Sequence, residues 1–556
     1  MTSTYRRRLL GWLSYAFASE VFVVVSLTLF LPICLEQFAR DNGFLEPDHI
    51  NACSSVEKED VSSSEGRCAV KIGWFWIDTA SFSLYVYSIS VALQALTVIS
   101  MGSVADRPAI RKPLLLTFAS VGASAAMFFL FLSSSSPLWA LSAVFAACAN
   151  VGFGASTVAM NAYLPSLARE SPQVIQAWTE LDEISRLSQV PTTTSLDLDD
   201  EQALSPGHDA ASPLLETSAT VNHRTAQKAY NAALSRATSR LSSLGIASGY
   251  GAGIILLLLA LIPVMKWHGS TFSLRLAIGL SGVWWIVFSI PAAMWLPGVA
   301  RDPDTQPKGN DKWTVRSEVA VAWRRLGVML RWSQIKRLQH TFRYLAAWFL
   351  LSDGFTTITS TAILFGKTTL HMESSSLVLI GAITPTSGII GSLVFPYLQR
   401  RFAWSNLKVL VILVTIVSCI PAYGCLGFVP FVKKMSFGGL TTPGEMFGLA
   451  IYFGFAYGAF QSYARAFYAE LIPQGEEARW YGLFSITDKS SSFVGPLIVG
   501  IIADSTGNIR YAFFFLVFMV WLAVPVLLSV DVEQGRIDAK NYSIDRRQEV
   551  EDDVEA

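Results

Sequence analysis

Charge is what this sequence has least of. Only 15% of its 556 residues are charged, against 52% hydrophobic, and 42 basic and 42 acidic residues cancel to a formal net charge of zero. No long block of one sign occurs, so the chain lacks the electrostatic footprint of a nucleic-acid binder, and no nucleic-acid partner is expected. Cysteine and histidine are sparse, six of each, with no C-x-x-C or H-x-x-x-H spacing, so neither a metal site nor a cofactor is expected. Catalytic motifs are missing as well. Gly366-Lys367-Thr368 resembles the end of a phosphate-binding loop, but the position that needs the loop's first glycine is Thr361. No G-x-S-x-G elbow occurs, which argues against a membrane lipase, and the chain reads as no enzyme. Finally, Arg6-Arg7-Arg8 precedes an apolar run with no small-residue cleavage site, so the run reads as a retained first span and not as a leader.

What the sequence has instead is apolar runs long enough to cross a bilayer. Twelve are expected, near 11–35, 80–104, 113–132, 138–164, 242–265, 272–296, 343–366, 375–398, 406–428, 446–471, 480–503 and 511–530. The fold class is therefore an all-α, polytopic membrane protein, with the lipid bilayer as its first partner. An even number of spans returns the chain to its starting side. Of the 42 Lys and Arg, about 30 fall in the compartments on that side and about nine on the other, which puts both termini in the cytoplasm.

The spans divide the chain. Residues 1–169 carry spans 1–4, 170–240 form a cytoplasmic insert, 241–297 carry spans 5–6, 298–341 link, 342–532 carry spans 7–12, and 533–556 are a cytoplasmic tail. The insert is rich in Ser, Thr, Asp, Glu and Ala with little periodicity and is expected to be largely disordered. The linker is basic and aromatic, with Val315, Val319, Ala322, Leu326 and Leu330 at helical spacing, which predicts amphipathic helices on the membrane surface. Residues 36–78 form the long loop of the opposite side. They include Glu36 and Glu46, expected to be solvated, and Cys53 and Cys68, which either form a disulfide in an oxidising compartment or stay unpaired.

Internal repetition organises the spans. Gly102 after span 2 is followed nine and ten residues later by Arg111-Lys112, as Gly391 after span 8 is by Arg400-Arg401. Ser19-Glu20-Val21-Phe22 of span 1 matches Ser352-Asp353-Gly354-Phe355 of span 7, and spans 4 and 10 end on Leu164-Pro165 and Ile472-Pro473. Three matches in one order indicate two parallel six-helix halves, the arrangement of the major facilitator superfamily. Gly102, Asp106, Arg107, Arg111 and Lys112 also resemble that superfamily's loop signature, with Ala109 where a second glycine is usual. The expected role is gating: the glycine permits close helix contact, Asp106 favours the positive end of a neighbouring helix, and the cations hold the loop at the surface.

Longer stretches go further. GWLSYAFASEVF (11–22), AAWFLLSDGFTTITSTAILFGKTTL (346–370) and the segment from Gln461 to Asn508 resemble the fungal autophagy-related protein 22 family. That resemblance implies a multi-pass vacuolar membrane permease that releases amino acids from autophagic breakdown into the cytosol. An amino acid is a zwitterion, so such a path needs a carboxylate for the ammonium group, a cation or helix amino end for the carboxylate, and an apolar pocket.

The polar residues inside the spans supply candidates. An acidic residue at the centre of a spanning helix costs roughly 2.5–3.5 kcal/mol, so Glu20 and Asp353 call for a reason. Two readings stand: proton exchange or ammonium recognition, or two protonated carboxyls bonded within the bundle. Asp353, Thr356, Thr357 and Ser360 form one polar face of span 7. Spans 4, 10 and 11 add Asn150, Thr157 and Asn161; Tyr457, Gln461, Arg465 and Tyr468; and Ser485, Asp488, Lys489 and Ser492. Arg465 either pairs with Asp488 at similar depth or takes a substrate carboxylate, and Lys489 is expected to point away from Asp488. Amino acids and protons are the expected small partners. The alternative is a transporter-like receptor or scaffold acting through residues 170–240 and the linker.

Overall fold

No water is present in a hydrocarbon core to satisfy peptide groups, so an apolar run closes its hydrogen bonds within itself as a helix. The computed structural model describes residues 3–45, 50–53, 68–105, 108–189, 212–267, 269–298, 315–431, 438–473 and 477–555. Span 1 runs Ser3–Val21, continues as a π-helix over Phe22–Phe30 and ends as Leu31–Asp41. Spans 2, 3 and 4 are Thr79–Ala105, Pro108–Phe128 and Leu141–Asn161; span 5 is the end of the long helix Ser212–Lys266; span 6 is Thr271–Trp295. In the second half, spans 7 to 10 are Gln339–Thr368, Ser374–Phe402, Asn406–Cys425 and Pro443–Leu471. Span 11 is two helices, Glu477–Ser491 and Val494–Thr506, and span 12 is Ala512–Leu528. Among the described residues ten of these segments are long and apolar enough to cross a membrane. Spans 3 and 10 are less apolar, and both pack into the bundle through glycine.

Glycine sets how closely the helices of each half approach. A side chain at Gly152 of span 4 would run into the Gly122 backbone of span 3, 2.7 Å away, and one at Gly458 of span 10 into the Gly388 backbone of span 8. In span 5, Gly245, Gly249 and Gly253 recur every fourth residue and seat Trp12, Glu20 and Val24 of span 1. Lipid tails are as apolar as leucine, so dispersion contact at small residues replaces the hydrophobic drive of water-soluble packing.

An even number of spans leaves both ends of the bundle's chain on one face, the terminal face. The other face carries an antiparallel ribbon, β1 Phe44–Leu45, β2 Cys68–Ile72 and β3 Phe75–Asp78. Gly73, at φ +62°, opens the two-residue turn between Ile72 and Phe75, a position where φ > 0 matches the twist of the strands. A disulfide joins Cys53 to Cys68, with Cα atoms 6.0 Å apart. Glu36 is not in a solvated loop: it is 1% exposed on the last helical segment of span 1, because that helix runs to Asp41. Glu46 lies outside the described residues.

The ribbon face is also where the halves close on each other. The Asp78 N–H, at the end of β3, donates to Asp504 Oδ1 of span 11 (2.8 Å), and span 2 donates to span 11 from Ser81 Oγ to the Gly500 carbonyl (2.9 Å) and from Ser88 Oγ to the Phe493 carbonyl (2.6 Å). Gly381 of span 8 faces Leu29 of span 1, and Gly269 faces Ser374. Toward the terminal face the facing side chains regain solvent: Tyr250 is 38% exposed, Gln461 half-buried and Arg465 exposed. The bundle is sealed on one side and splayed on the other.

The segment 170–240 departs from the expectation of disorder. Pro172–Gln189 is a helix, and Ser212–Lys266 begins within the segment. Val174 and Leu181 are buried between them, and Trp178 meets Tyr230 edge-on at 5.4 Å. Val174, Trp178 and Leu181 recur at helical spacing, a short apolar stripe that the polar composition conceals. Residues 190–211, with the Asp-rich run, lie outside the described residues. In the linker, Val315–Met329 packs on the end of span 2, and Trp332–Arg337 leads to span 7. The tail helix Val532–Glu555 docks on the second half, where Arg536 bonds Glu470 at 2.6 Å and Gly535 sits against His340 and Leu471.

Candidate substrate-translocation site

Glu20 sits near the middle of span 1, two residues before the π-helix. The β-branched run Val23-Val24-Val25 occupies that widened stretch, and Ser26 Oγ meets Ser281 Oγ of span 6 at 2.6 Å. The Glu20 methylenes lie on Gly249 of span 5, a contact that a larger residue would abolish. Its carboxylate has no hydrogen bond or ion pair among the described residues, and the nearest cations acting on it are Lys489 and Arg465, both from the other half. Glu20 is therefore a half-buried carboxyl with no bonded partner among the described residues.

Asp353, its partner in the repeat, has a different task. Span 11 breaks at Ser492-Phe493, and its second helix begins at Val494. Pro496 has no N–H, so Gly495 presents the donor that the new helix end leaves over. Both Asp353 oxygens accept it, at 3.0 and 2.8 Å. Thr357 Oγ1 donates to the Asp353 carbonyl at 2.7 Å and lies 3.4 Å from its Oδ1, and Asp353 is 2% exposed. This carboxyl caps a half-helix inside the membrane, the broken-helix device that places a positive helix end at mid-depth.

The remaining candidates sort by whether they reach the interface. Asp488 does not pair with Arg465 and Lys489 does not point away: Ser352 Oγ donates to Asp488 Oδ1 at 2.5 Å, and Lys489 Nζ lies 3.5 Å from Asp488 Oδ2. Both residues lie within the first helix of span 11, where the long Lys489 side chain reaches back to its sequence neighbour. The Arg465 guanidinium has no partner among the described residues. Gln461 Nε2 donates to the Tyr457 hydroxyl at 2.8 Å, and Tyr457 stacks on Phe355 at 5.4 Å. Thr356 is half-buried, Ser360 donates to the Thr357 carbonyl at 3.2 Å, and Asn161 is exposed at the end of span 4. Asn150 is consumed inside the first half, between Ser90 and Gln94.

Of the gating residues, Asp106 and Arg107 lie outside the described residues. Gly102 makes no close contact: nothing among the described residues lies within 4 Å of where its side chain would be. Arg111 donates through Nε to the Ala105 carbonyl at 3.0 Å and covers the Tyr163 ring at 5.0 Å, and Lys112 donates to the Leu296 carbonyl at 2.9 Å. These cations cap the ends of spans 2 and 6, which is more specific than holding a loop at a surface.

Sequence reading missed two contributors. Tyr250 of span 5 lies close enough to be influenced by both Glu20 and Arg465, and Tyr87 of span 2 by Asp353 and Asp488. Tyr250 had a signal, since it follows Gly249 in the glycine repeat. Where the halves face each other, these residues set an acid on the first half and cations on the second, with tyrosine rings near both.

Residues 4–540 match the family model described as "Vacuole effluxer Atg22 like". The chain is 40% identical to Autophagy-related protein 22 of Cryptococcus neoformans var. neoformans serotype D, over 98% of each protein. It is 39% identical to Autophagy-related protein 22-1 of Neosartorya fischeri, over 96% of this chain and 91% of that protein. The chain belongs to the Atg22 family. Its fold is that of the major facilitator transporters. The inward-open xylose transporter XylE of E. coli superposes with a TM-score of 0.52 at 10% identity, covering 95% of this chain and 96% of that one. A bacterial homologue of the iron transporter ferroportin, in its inward-facing state, gives 0.51 at 13% identity, covering 95% and 98%. An Atg22-family chain with this fold is a multi-pass membrane protein of a transporter class tied to autophagy, and that family and fold are not those of enzymes.

Proposed function

We propose that this protein exports amino acids, released by autophagic degradation, from the vacuole lumen to the cytosol by alternating access. The ribbon face is luminal and the terminal face, with its excess of Lys and Arg, cytosolic. One observation carries the reading: Glu20 on one half opposes Arg465 and Lys489 on the other, and neither Glu20 nor Arg465 is neutralised by the protein. Unpaired charges at this depth are costly unless a ligand completes them. A zwitterion does so, its ammonium at Glu20 and its carboxylate at Arg465, with Phe355, Tyr457 and Tyr250 around the side chain. An occupied cleft would draw the halves together at the terminal face, and Gly102 offers the space into which span 2 can close.

Protons enter through Glu20. In an acidic lumen the proton and the substrate ammonium contend for this one carboxyl, so release follows luminal pH. The test is efflux of a labelled neutral amino acid from proteoliposomes at several internal pH values. Glu20→Gln should flatten the pH dependence. Arg465→Gln should raise KM by about tenfold, the loss of one charge-assisted contact. Asp106→Asn should alter the rate and leave KM within about twofold, as a gating residue does. Wild-type pH dependence in Glu20→Gln, with unchanged KM in Arg465→Gln, sinks the assignment. Autophagic function that survives both substitutions but fails on deletion of 190–211 points instead to a scaffold.

A further inference from the structure

The linker helix presents two faces to two different partners. Ala322 and Met329 are buried, with Leu326 between them half-buried, and this face lies on the terminal end of span 2. Trp323 Nε1 donates to Ser100 Oγ of that span at 3.2 Å. Span 2 leads up to Ser100 with an outward apolar stripe, Ile89, Leu93 and Leu96, each more than two-fifths exposed. Trp323 therefore stands where the apolar belt of the bundle ends, the level at which tryptophan rings settle in a bilayer.

The exposed side of the linker is strongly basic. Arg316, Arg324, Arg331, Lys336 and Arg337 are exposed, and Leu330 and Trp332 lie among them at 48% and 69% exposure. Lys336 lies over the Trp332 ring at 5.8 Å. Cations interleaved with exposed aromatic and aliphatic side chains, at the level of the headgroups, are the composition of a surface that reads anionic lipid. The chain as a whole carries no net charge, so this patch is local and does not follow from composition.

We propose that the helices Val315–Met329 and Trp332–Arg337 bind anionic phospholipid headgroups of the surrounding bilayer, and that this binding holds span 2 in the splayed state seen here. The occupant follows from charge complementarity and from the place of Trp323 at the end of the apolar belt. The mechanical link is the packing of Ala322 and Met329 on span 2 and the Trp323–Ser100 hydrogen bond, close to Gly102. Headgroups that hold the helix against the surface keep the end of span 2 from moving inward. The consequence for gating rests on the transporter reading above, whereas the binding step does not.

The experiment uses the full chain in nanodiscs, of phosphatidylcholine alone or with about one-fifth phosphatidylserine, a content that gives a leaflet substantial negative potential. Cys148 and Cys419, the exposed free cysteines, are first replaced by alanine. A polarity-sensitive fluorophore on Gly327→Cys, where no neighbour lies within 4 Å, reports docking, and thiol labelling of Gly102→Cys reports opening of the terminal face. With phosphatidylserine the emission should shift to the blue, and labelling at 102 should rise about threefold, a modest population shift. Both responses should vanish in the quadruple variant Arg324→Gln, Arg331→Gln, Lys336→Gln and Arg337→Gln, and in high salt. Equal emission and labelling in the two lipid compositions overturns the proposal, as does a response that persists in the quadruple variant. A blue shift without a change at 102 overturns the coupling to span 2. No arm requires transport, so a failed efflux assay and a failed lipid response are separate results.

Discussion

Glu20 and Asp353 occupy matching places in the two halves, yet one is a charge in reserve and the other a fastener. Around Glu20 the first half supplies a glycine surface and no hydrogen bond among the described residues, while cations of the opposite half act on it. Around Asp353 the second half supplies the Gly495 N–H of a helix end that has no other acceptor, and the carboxylate is used up. An internal repeat preserves where an acid stands; what it does is decided by whether its neighbour is an intact helix or a broken one. Span 5 is continuous beside Glu20, whereas span 11 is interrupted beside Asp353.

Substitutions can break this contrast in order of expected cost. Asp353→Ala strands the Gly495 N–H and should destabilise the folded protein by about 2–3 kcal/mol, whereas Asp353→Asn keeps an acceptor and should cost about 1 kcal/mol. Thermal unfolding midpoints in detergent measure both, and equal midpoints for the two variants would remove the capping role. Next comes Gly495→Ala, whose methyl would press on Thr357 Oγ1 and Asp353 Oδ1 and should cost about 1–3 kcal/mol. Gly249→Ala presses on the Glu20 Cγ, which can swing aside, but also on its Cβ at 2.6 Å, which moves only with span 1, and should cost about 1–2 kcal/mol, less than Gly495→Ala. If the Gly249 variant proves the less stable of the two, the two sites have been read the wrong way round. Last is Glu20→Gln, which loses no bond and should leave the midpoint within about 0.5 kcal/mol of wild type while altering the response of efflux to pH.

The parts legible in the sequence are those that a bilayer enforces. Apolar runs of the right length mark the spans, and the paired motifs at Gly102 and Gly391, and at Glu20 and Asp353, mark two halves. What was not legible depends on interruptions. The run 480–503 reads as one span, and only Gly495-Pro496, a proline at the first turn of a helix, hints that it is two. Once the break is unseen, Asp353 has no helix end to cap. The helix at Pro172–Gln189 was hidden for another reason: its apolar stripe is short and diluted by polar residues, and its stability comes from packing on the helix that begins at Ser212.

The glycine contacts that tie spans 3 to 4 and 8 to 10 leave backbone against backbone within each half. Such blocks have almost no internal slack, and close-packed protein is poorly compressible. Volume gained when the cleft opens cannot be drawn from inside either block, so it must be filled by solvent, and every turn of the cycle must take up and expel water. Turnover should then be sensitive to osmotic stress: an impermeant polymer on the terminal side, too large for the cleft, should favour its closed form and slow the return to the splayed one.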